Sequence, residues 1–167
     1  MNDVTSKPYI QIDIAKQQLH WIGDITRTYY ISTALNGAGE QQDSGCTPRG
    51  KHIIAAKIGA GQACNSVFVG RIATGEIYSP ALAAQFPKRD WILSRILWLQ
   101  GIEPQFNQGV GCDSHNRYIY IHGTPDSEPM GVARSHGCIR MRNSEVIELF
   151  DLVEAGTRVD ILENMPL

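Results

Sequence analysis

The chain predicts a mainly β, single-domain, sandwich-like fold with one clear α-helix, and three observations predict it. Apolar and polar residues alternate in short runs from Tyr9 onward, turn residues punctuate those runs, and Val146, Ile147, Phe150 and Val153 recur at helical spacing. A length of 167 residues with 43% hydrophobic and 19% charged content suits one domain with a sizeable core. No internal repeat, low-complexity tract or linker divides residues 1–167.

Ile10, Ile12 and Ile14 alternate with polar residues, as do Leu19 and Trp21 with Gln18 and His20, before Gly23-Asp24 turns the chain. A hairpin and a third strand up to Leu35 follow from this. Residues 36–50 are rich in Gly, Gln, Asp, Ser and Pro and read as a surface loop. Strands resume over 51–58 and 67–72, and Gly75 suggests a turn. The alanine-rich stretch 80–87 reads as one turn of helix. Residues 91–101, WILSRILWLQG, fit either a buried helix or a fully buried strand, because nearly every position is apolar. Arg95 in their middle needs a partner if buried, or else faces a substrate. After a polar loop over 101–116, Tyr118 to Thr124 alternate, with Ile119 and Ile121 on one face and Tyr118, Tyr120 and His122 on the other. Asn143 caps the helix, Gly156 closes it, and Thr157 to Leu162 alternate as a last strand.

Fifteen basic against 17 acidic residues give a net charge of −2, which argues against nucleic acid or a membrane surface as partner. No run approaches the roughly 20 apolar residues of a membrane span. The opening MNDVTSKPYIQIDI lacks the charged start, apolar centre and small-residue site of a secretory leader, so a cytoplasmic location is expected, with a periplasmic one as the alternative if a leader has been removed. Cys46, Cys64, Cys112 and Cys138 are widely spaced. A cytoplasmic protein keeps them as free thiols, with the first three in structural roles.

The densest chemistry lies in Ser135-His136-Gly137-Cys138-Ile139-Arg140-Met141, read with His122 in YIYIHGT. A thiol near pH 7 is only a few per cent thiolate, so a nucleophilic Cys138 needs a base nearby. His122 supplies one at a strand end, sixteen positions earlier, and Pro125, Pro129 and Gly131 allow the chain to fold back. Gly137 lets main-chain N–H groups of residues 136–138 turn toward a reacting carbonyl oxygen, as an oxyanion hole requires. Arg140 is placed to hold a carboxylate in a two-pronged bond. The implied reaction is acyl transfer from an acidic peptide. A zinc site from His115, His122, His136 and Cys138 is the rival, although no C-x-x-C or H-x-x-x-H pair supports it.

HGT, a turn with proline and glycine, and then SHGCIRM resemble the signature of the L,D-transpeptidase catalytic domain, also called the YkuD domain. YIQIDIAKQQLHWI resembles that family's opening hairpin and TPRGKHII its TP-x-G segment, so nearly the whole chain is covered. The resemblance implies a mostly β fold, a strand over 91–101, Cys138 as nucleophile and His122 as base. It further implies His136 and Gly137 in the oxyanion loop, the Gly123 carbonyl holding the base, and Arg140 near the substrate; Ser135 of the motif and Arg95 are the other candidates for substrate contact. No cofactor is implied. The implied substrate is a peptidoglycan stem peptide or muropeptide, cut between the L-centre of diaminopimelate and a terminal D-alanine. With water as acceptor the enzyme is an L,D-carboxypeptidase of wall recycling, the reading that a cytoplasmic location favours. A second stem's amine makes it a cross-linking L,D-transpeptidase, and a non-catalytic wall-binding module is the reading from another class.

Overall fold

The computed structural model describes residues 6–166, and the alternation read from the sequence becomes a ten-stranded sheet. Strands β1 (Tyr9–Asp13) and β2 (Gln18–Ile22) form the opening hairpin, and β3 (Arg27–Tyr30) extends it. Ile10 lies opposite Trp21 and Ile12 opposite Leu19, and all four are buried, because a period of two sends alternate side chains to one face. Then come β4 (Gly50–Ile58), β5 (Ser66–Val69), β6 (Ile72–Ile77), the short helix α1 (Pro80–Gln85), and the long β7 (Ile92–Gly101). The chain ends with β8 (Tyr120–Thr124), β9 (Ile139–Arg142), helix α2 (Asn143–Leu152) and β10 (Arg158–Leu162). The strand order is β3-β2-β1-β10-β4-β7-β5-β6, with β8 beside β7 and β9 beside β8.

The sandwich-like packing comes from one curled sheet. Just past β3 the chain returns to β9, where the Ser32 N–H donates to the Arg140 carbonyl and the Arg140 N–H to that of Ser32, both at 2.9 Å. The sheet thereby wraps a core that includes Ile12, Leu97, Ile121 and Met141. Helix α2 closes this core with Val146, Leu149 and Phe150, each worth about 2–5 kcal/mol against truncation to alanine.

Residues 92–101 are a strand because they have partners along their length, β4 and β8 above all. A strand covered on both faces reads as a near-continuous apolar run. Four local expectations are corrected. The strand expected over 67–72 is broken at Gly70-Arg71, both with positive φ (54° and 66°). They form the two-residue connection between Val69 and Ile72, which pair directly. Gly75 makes no turn between elements but sits inside β6 at positive φ, where the pairing with β5 slips between Ser66 and Phe68, a bulge that suits glycine. Asn143 is the first residue of α2 and caps nothing; Arg142 is the cap position and offers no side-chain bond. The helix ends at Leu152, and Gly156 serves the following turn instead.

Candidate active site

The parallel pairing of β8 with β9 brings the two halves of the motif together, with Ile121 beside Ile139 and His122 beside Arg140. Cys138 immediately precedes β9. It packs against the small cluster of Phe68, Ile96 and Tyr120 and is half-buried. The Tyr120 N–H donates to Sγ at 3.3 Å, and the thiol donates to the Tyr118 carbonyl at 3.3 Å. Burial pushes this thiol up to about 11, opposed by the Tyr120 N–H and by the cations of Arg140 and Arg117. The resting group is therefore a thiol that must be deprotonated as it reacts.

His122 lies on the same side of β8 as Tyr120, two residues along the strand. Its ring is buried, at 2% exposure, and Nδ1 meets the Gly123 carbonyl at 2.6 Å. A carbonyl only accepts, so Nδ1 carries the proton and Nε2 keeps its lone pair. Burial lowers the imidazole's pKa, and the bond to Gly123 only partly offsets this. A neutral imidazole with a fixed tautomer is what a general base needs. Gly123 cannot be enlarged, since a Cβ there would stand 2.5 Å from both the Leu93 carbonyl and the Asn143 Oδ1.

The loop before Cys138 is internally braced. Ser135 is buried, its hydroxyl donating to the Cys138 carbonyl and accepting the Gly137 N–H at 3.2 Å. Thr47 donates to the Gly137 carbonyl at 2.8 Å. Gly137 has φ of 138°, and a Cβ there would press on the Cys46 carbonyl at 3.3 Å. Of the three amides expected to bind an oxyanion, that of Gly137 is engaged by Ser135. The N–H groups of His136 and Cys138 donate to no turn or side-chain acceptor among the described residues, which narrows the donors to two. His136 itself is exposed, with Nδ1 3.5 Å from Asp90 Oδ2.

The model of the YkuD family, the L,D-transpeptidase catalytic domain, matches residues 7–161. The chain belongs to this family. Over 58 residues it is 50% identical to the candidate L,D-transpeptidase YqjB of Bacillus subtilis (strain 168), covering 33% of each chain. Over 48 residues it is 47% identical to the candidate L,D-transpeptidase ErfK/SrfK of Escherichia coli (strain K12), 29% of this chain and 16% of that one. The fold matches an L,D-transpeptidase from Xylanimonas cellulosilytica with a TM-score of 0.53 at 20% identity, covering 96% of this chain and 62% of that one. It also matches L,D-transpeptidase 3 of Mycobacterium tuberculosis bearing a faropenem-derived adduct, with a TM-score of 0.57 at 14% identity, 93% and 60% covered. The matches thus span a third or less of those two curated relatives and about three-fifths of those two solved chains.

Within this L,D-transpeptidase domain the remaining expected residues divide. Arg140 is close to the motif but already occupied. Its guanidinium donates to Asp90 Oδ1 at 3.2 Å and lies 3.9 Å from Glu128 Oε2, at the floor of an open cleft of about 240 Å³ lined also by Trp91, Thr124 and His136. Arg95 does not face the substrate side. It alternates with Ile96 along β7, and its guanidinium donates to the carbonyls of Gln62 (2.8 Å) and Ser94 (2.6 Å) near the Phe150 ring of α2. The partner its burial required is main chain. The zinc ligands do not assemble: His115 stacks on Trp98 at 4.0 Å, and among the described residues no three such groups converge.

Sequence reasoning missed several supports of the L,D-transpeptidase site. Asn143 accepts from the Ser94 hydroxyl at 2.7 Å and donates to the Thr124 carbonyl at 2.8 Å, bracing the strand end behind Gly123. Arg117 donates to the Cys46 carbonyl at 2.7 Å and to that of Gly39 at 3.3 Å, tying the 36–50 loop against the Gly137 turn. Only Asn143 carried a signal, as a polar residue opening an apolar helix.

Proposed function

We propose that this chain is a cysteine-dependent L,D-carboxypeptidase that removes the terminal D-alanine from peptidoglycan tetrapeptides. The observation that carries the reading is a half-buried thiol held by the Tyr120 N–H, two residues along β8 from an imidazole on the same side of the strand whose Nδ1 is committed to Gly123 and whose Nε2 has no partner among the described residues. Nε2 of His122 takes the thiol proton as Sγ attacks the carbonyl of the diaminopimelate L-centre. The developing oxyanion meets the N–H groups of His136 and Cys138. The imidazolium returns its proton to the departing D-alanine amine, leaving a thioester. Water, deprotonated by the same Nε2, opens the thioester to release tripeptide and restore the thiol.

Water as acceptor goes with a reducing, cytoplasmic setting, in which Cys138 stays a thiol; no described helix is long and apolar enough to cross a membrane. A second reading, transfer to another stem's amine to form a cross-link, draws support from the L,D-transpeptidase names of the relatives. Purified protein incubated with a sugar-free tetrapeptide and followed by mass spectrometry tests the choice. Tripeptide and free D-alanine are expected. Cross-linked dimer with little tripeptide would establish the second reading instead, and no turnover by protein with an intact Cys138 thiol would return the chain to a wall-binding role.

A further inference from the structure

Tyr118 and Tyr120 hold the reactive sulfur with their main chains, through the Tyr118 carbonyl and the Tyr120 N–H. Their side chains hold something else. The Tyr120 hydroxyl accepts from Arg71 Nη1 at 3.0 Å, and the Arg71 guanidinium lies 5.1 Å from the Tyr118 ring centroid and 4.6 Å from that of Trp98. Arg71 is thus a cation fixed by three aromatic side chains, one of which, Tyr120, belongs to the cluster that Cys138 packs against.

Two further observations bear on its use. Arg71 sits in the two-residue connection between β5 and β6 with φ of 66°, a conformation that costs a side-chain-bearing residue about 1–2 kcal/mol and that glycine takes freely. Strain of this kind is retained where the side chain is used. Moreover, among the described residues no carboxylate lies within ion-pair distance of Arg71, whereas Arg140, Arg49 and Arg89 each have one. Arg140, which the motif points to as a carboxylate clamp, is satisfied by Asp90. Arg71 has one hydrogen bond and keeps its remaining N–H donors free in a half-exposed position.

We propose that Arg71 is the specificity-determining residue that binds a carboxylate of the acyl donor as the donor's carbonyl meets Cys138. The substrate side of this proposal rests on the peptide reading above. A stem peptide offers that chemistry from two sources, the terminal carboxylate of the leaving residue and the side-chain carboxylate of the acyl residue. Either would receive a charge-assisted fork that an aromatic stack has already ordered.

The test separates the residue from the peptide by using the smallest carboxylate-bearing electrophile. Iodoacetate and neutral iodoacetamide alkylate the same sulfur, so their rate ratio at Cys138, read by peptide mass spectrometry, reports a cation beside it. Arg71→Gln should lower that ratio roughly threefold to fivefold, with Arg71→Lys largely restoring it. Arg27→Gln, the same charge change on the remote β3, should leave it unchanged. Thermal melts of all three variants confirm that each is folded. An unchanged ratio in Arg71→Gln, or an equal fall in Arg27→Gln, overturns the proposal whatever the peptide assays show. A lowered ratio with no peptide turnover by the parent would sink the peptide reading and leave Arg71 as a carboxylate site. With turnover, Arg71→Gln should raise KM about tenfold or more at nearly constant kcat. Of two amidated tetrapeptides, the one on which parent and variant no longer differ identifies the bound carboxylate; a difference that persists on both refutes substrate binding by Arg71.

Discussion

Two histidines in this domain are built alike and differ in one contact. His122 and His52 are 2% and 0% exposed. Each sets Nδ1 against a nearby main-chain carbonyl, that of Gly123 at 2.6 Å and that of Gly50 at 3.0 Å, which fixes the same tautomer in both. Burial lowers both pKa values, that of His52 to about 4. At Nε2 they part. His52 is closed off by the Ser114 hydroxyl at 2.8 Å, with Ser114 itself fully buried, so this serine–histidine pair is a clamp between β4 and the loop before β8. His122 Nε2 has no such partner among the described residues, and the ring lies on the side of β8 that carries Tyr120, whose N–H donates to Cys138 Sγ. A buried imidazole with a held tautomer is therefore not in itself a catalytic feature; the open second nitrogen beside a nucleophile is.

The largest effects should come from breaking the open member of the pair. Cys138→Ala should abolish turnover, and His122→Gln should lower kcat by about 10²–10⁴-fold, in assays of protein whose circular dichroism matches the parent. Full activity in either variant would remove the acyl-enzyme. Next in size is Gly123→Ala, whose added methyl collides with the Leu93 carbonyl and Asn143 and must shift the carbonyl that holds Nδ1. A loss of kcat of about tenfold or more is expected, with KM little changed. The closed histidine predicts a different pattern. His52→Ala should remove about 2–3 kcal/mol of stability, by leaving a cavity and an unpaired Ser114, yet kcat of the folded enzyme should stay within about twofold. A loss of kcat as large as that of His122→Gln would dissolve the distinction drawn between the two sites.

The same contrast explains what was legible in the sequence. Period-two alternation placed the hairpin because it buries one face, and the strand carrying His122 because its two faces, though both buried, differ in polarity; a chemistry-dense stretch marked Cys138 because a reactive thiol needs company. Arg95 and Arg140 were harder. Both are guanidiniums in apolar or motif-rich surroundings, and whether such a group meets main chain, a protein carboxylate or substrate is settled by residues far away in sequence, such as Gln62 or Asp90. The turn at Gly70-Arg71 was missed because arginine is not a residue that announces a left-handed conformation. Asn143 looked like a cap because polar residues open helices, but its side chain is drawn inward by Ser94 and the Thr124 carbonyl.

The last expected effects are in pH dependence, where the two histidines should separate. His52 has a folded pKa of about 4 against roughly 6.5 unfolded, so between those values the unfolded chain binds the extra proton. Stability is then full above about pH 6.5 and falls as pH drops toward 4, by about 3 kcal/mol from this group. His122 is also lowered, and its working form is the neutral one. Activity should therefore hold below the ordinary histidine range and fade only as pH drops through the depressed value. Denaturant melts and short initial-rate assays across that acid range read the two quantities independently. In His52→Ala the acid slope of stability should become shallower by the His52 share while the acid limb of kcat/KM stays where it was. An activity limb that moves with the stability slope would mean that protonation of the clamp, rather than of the base, is what stops the enzyme.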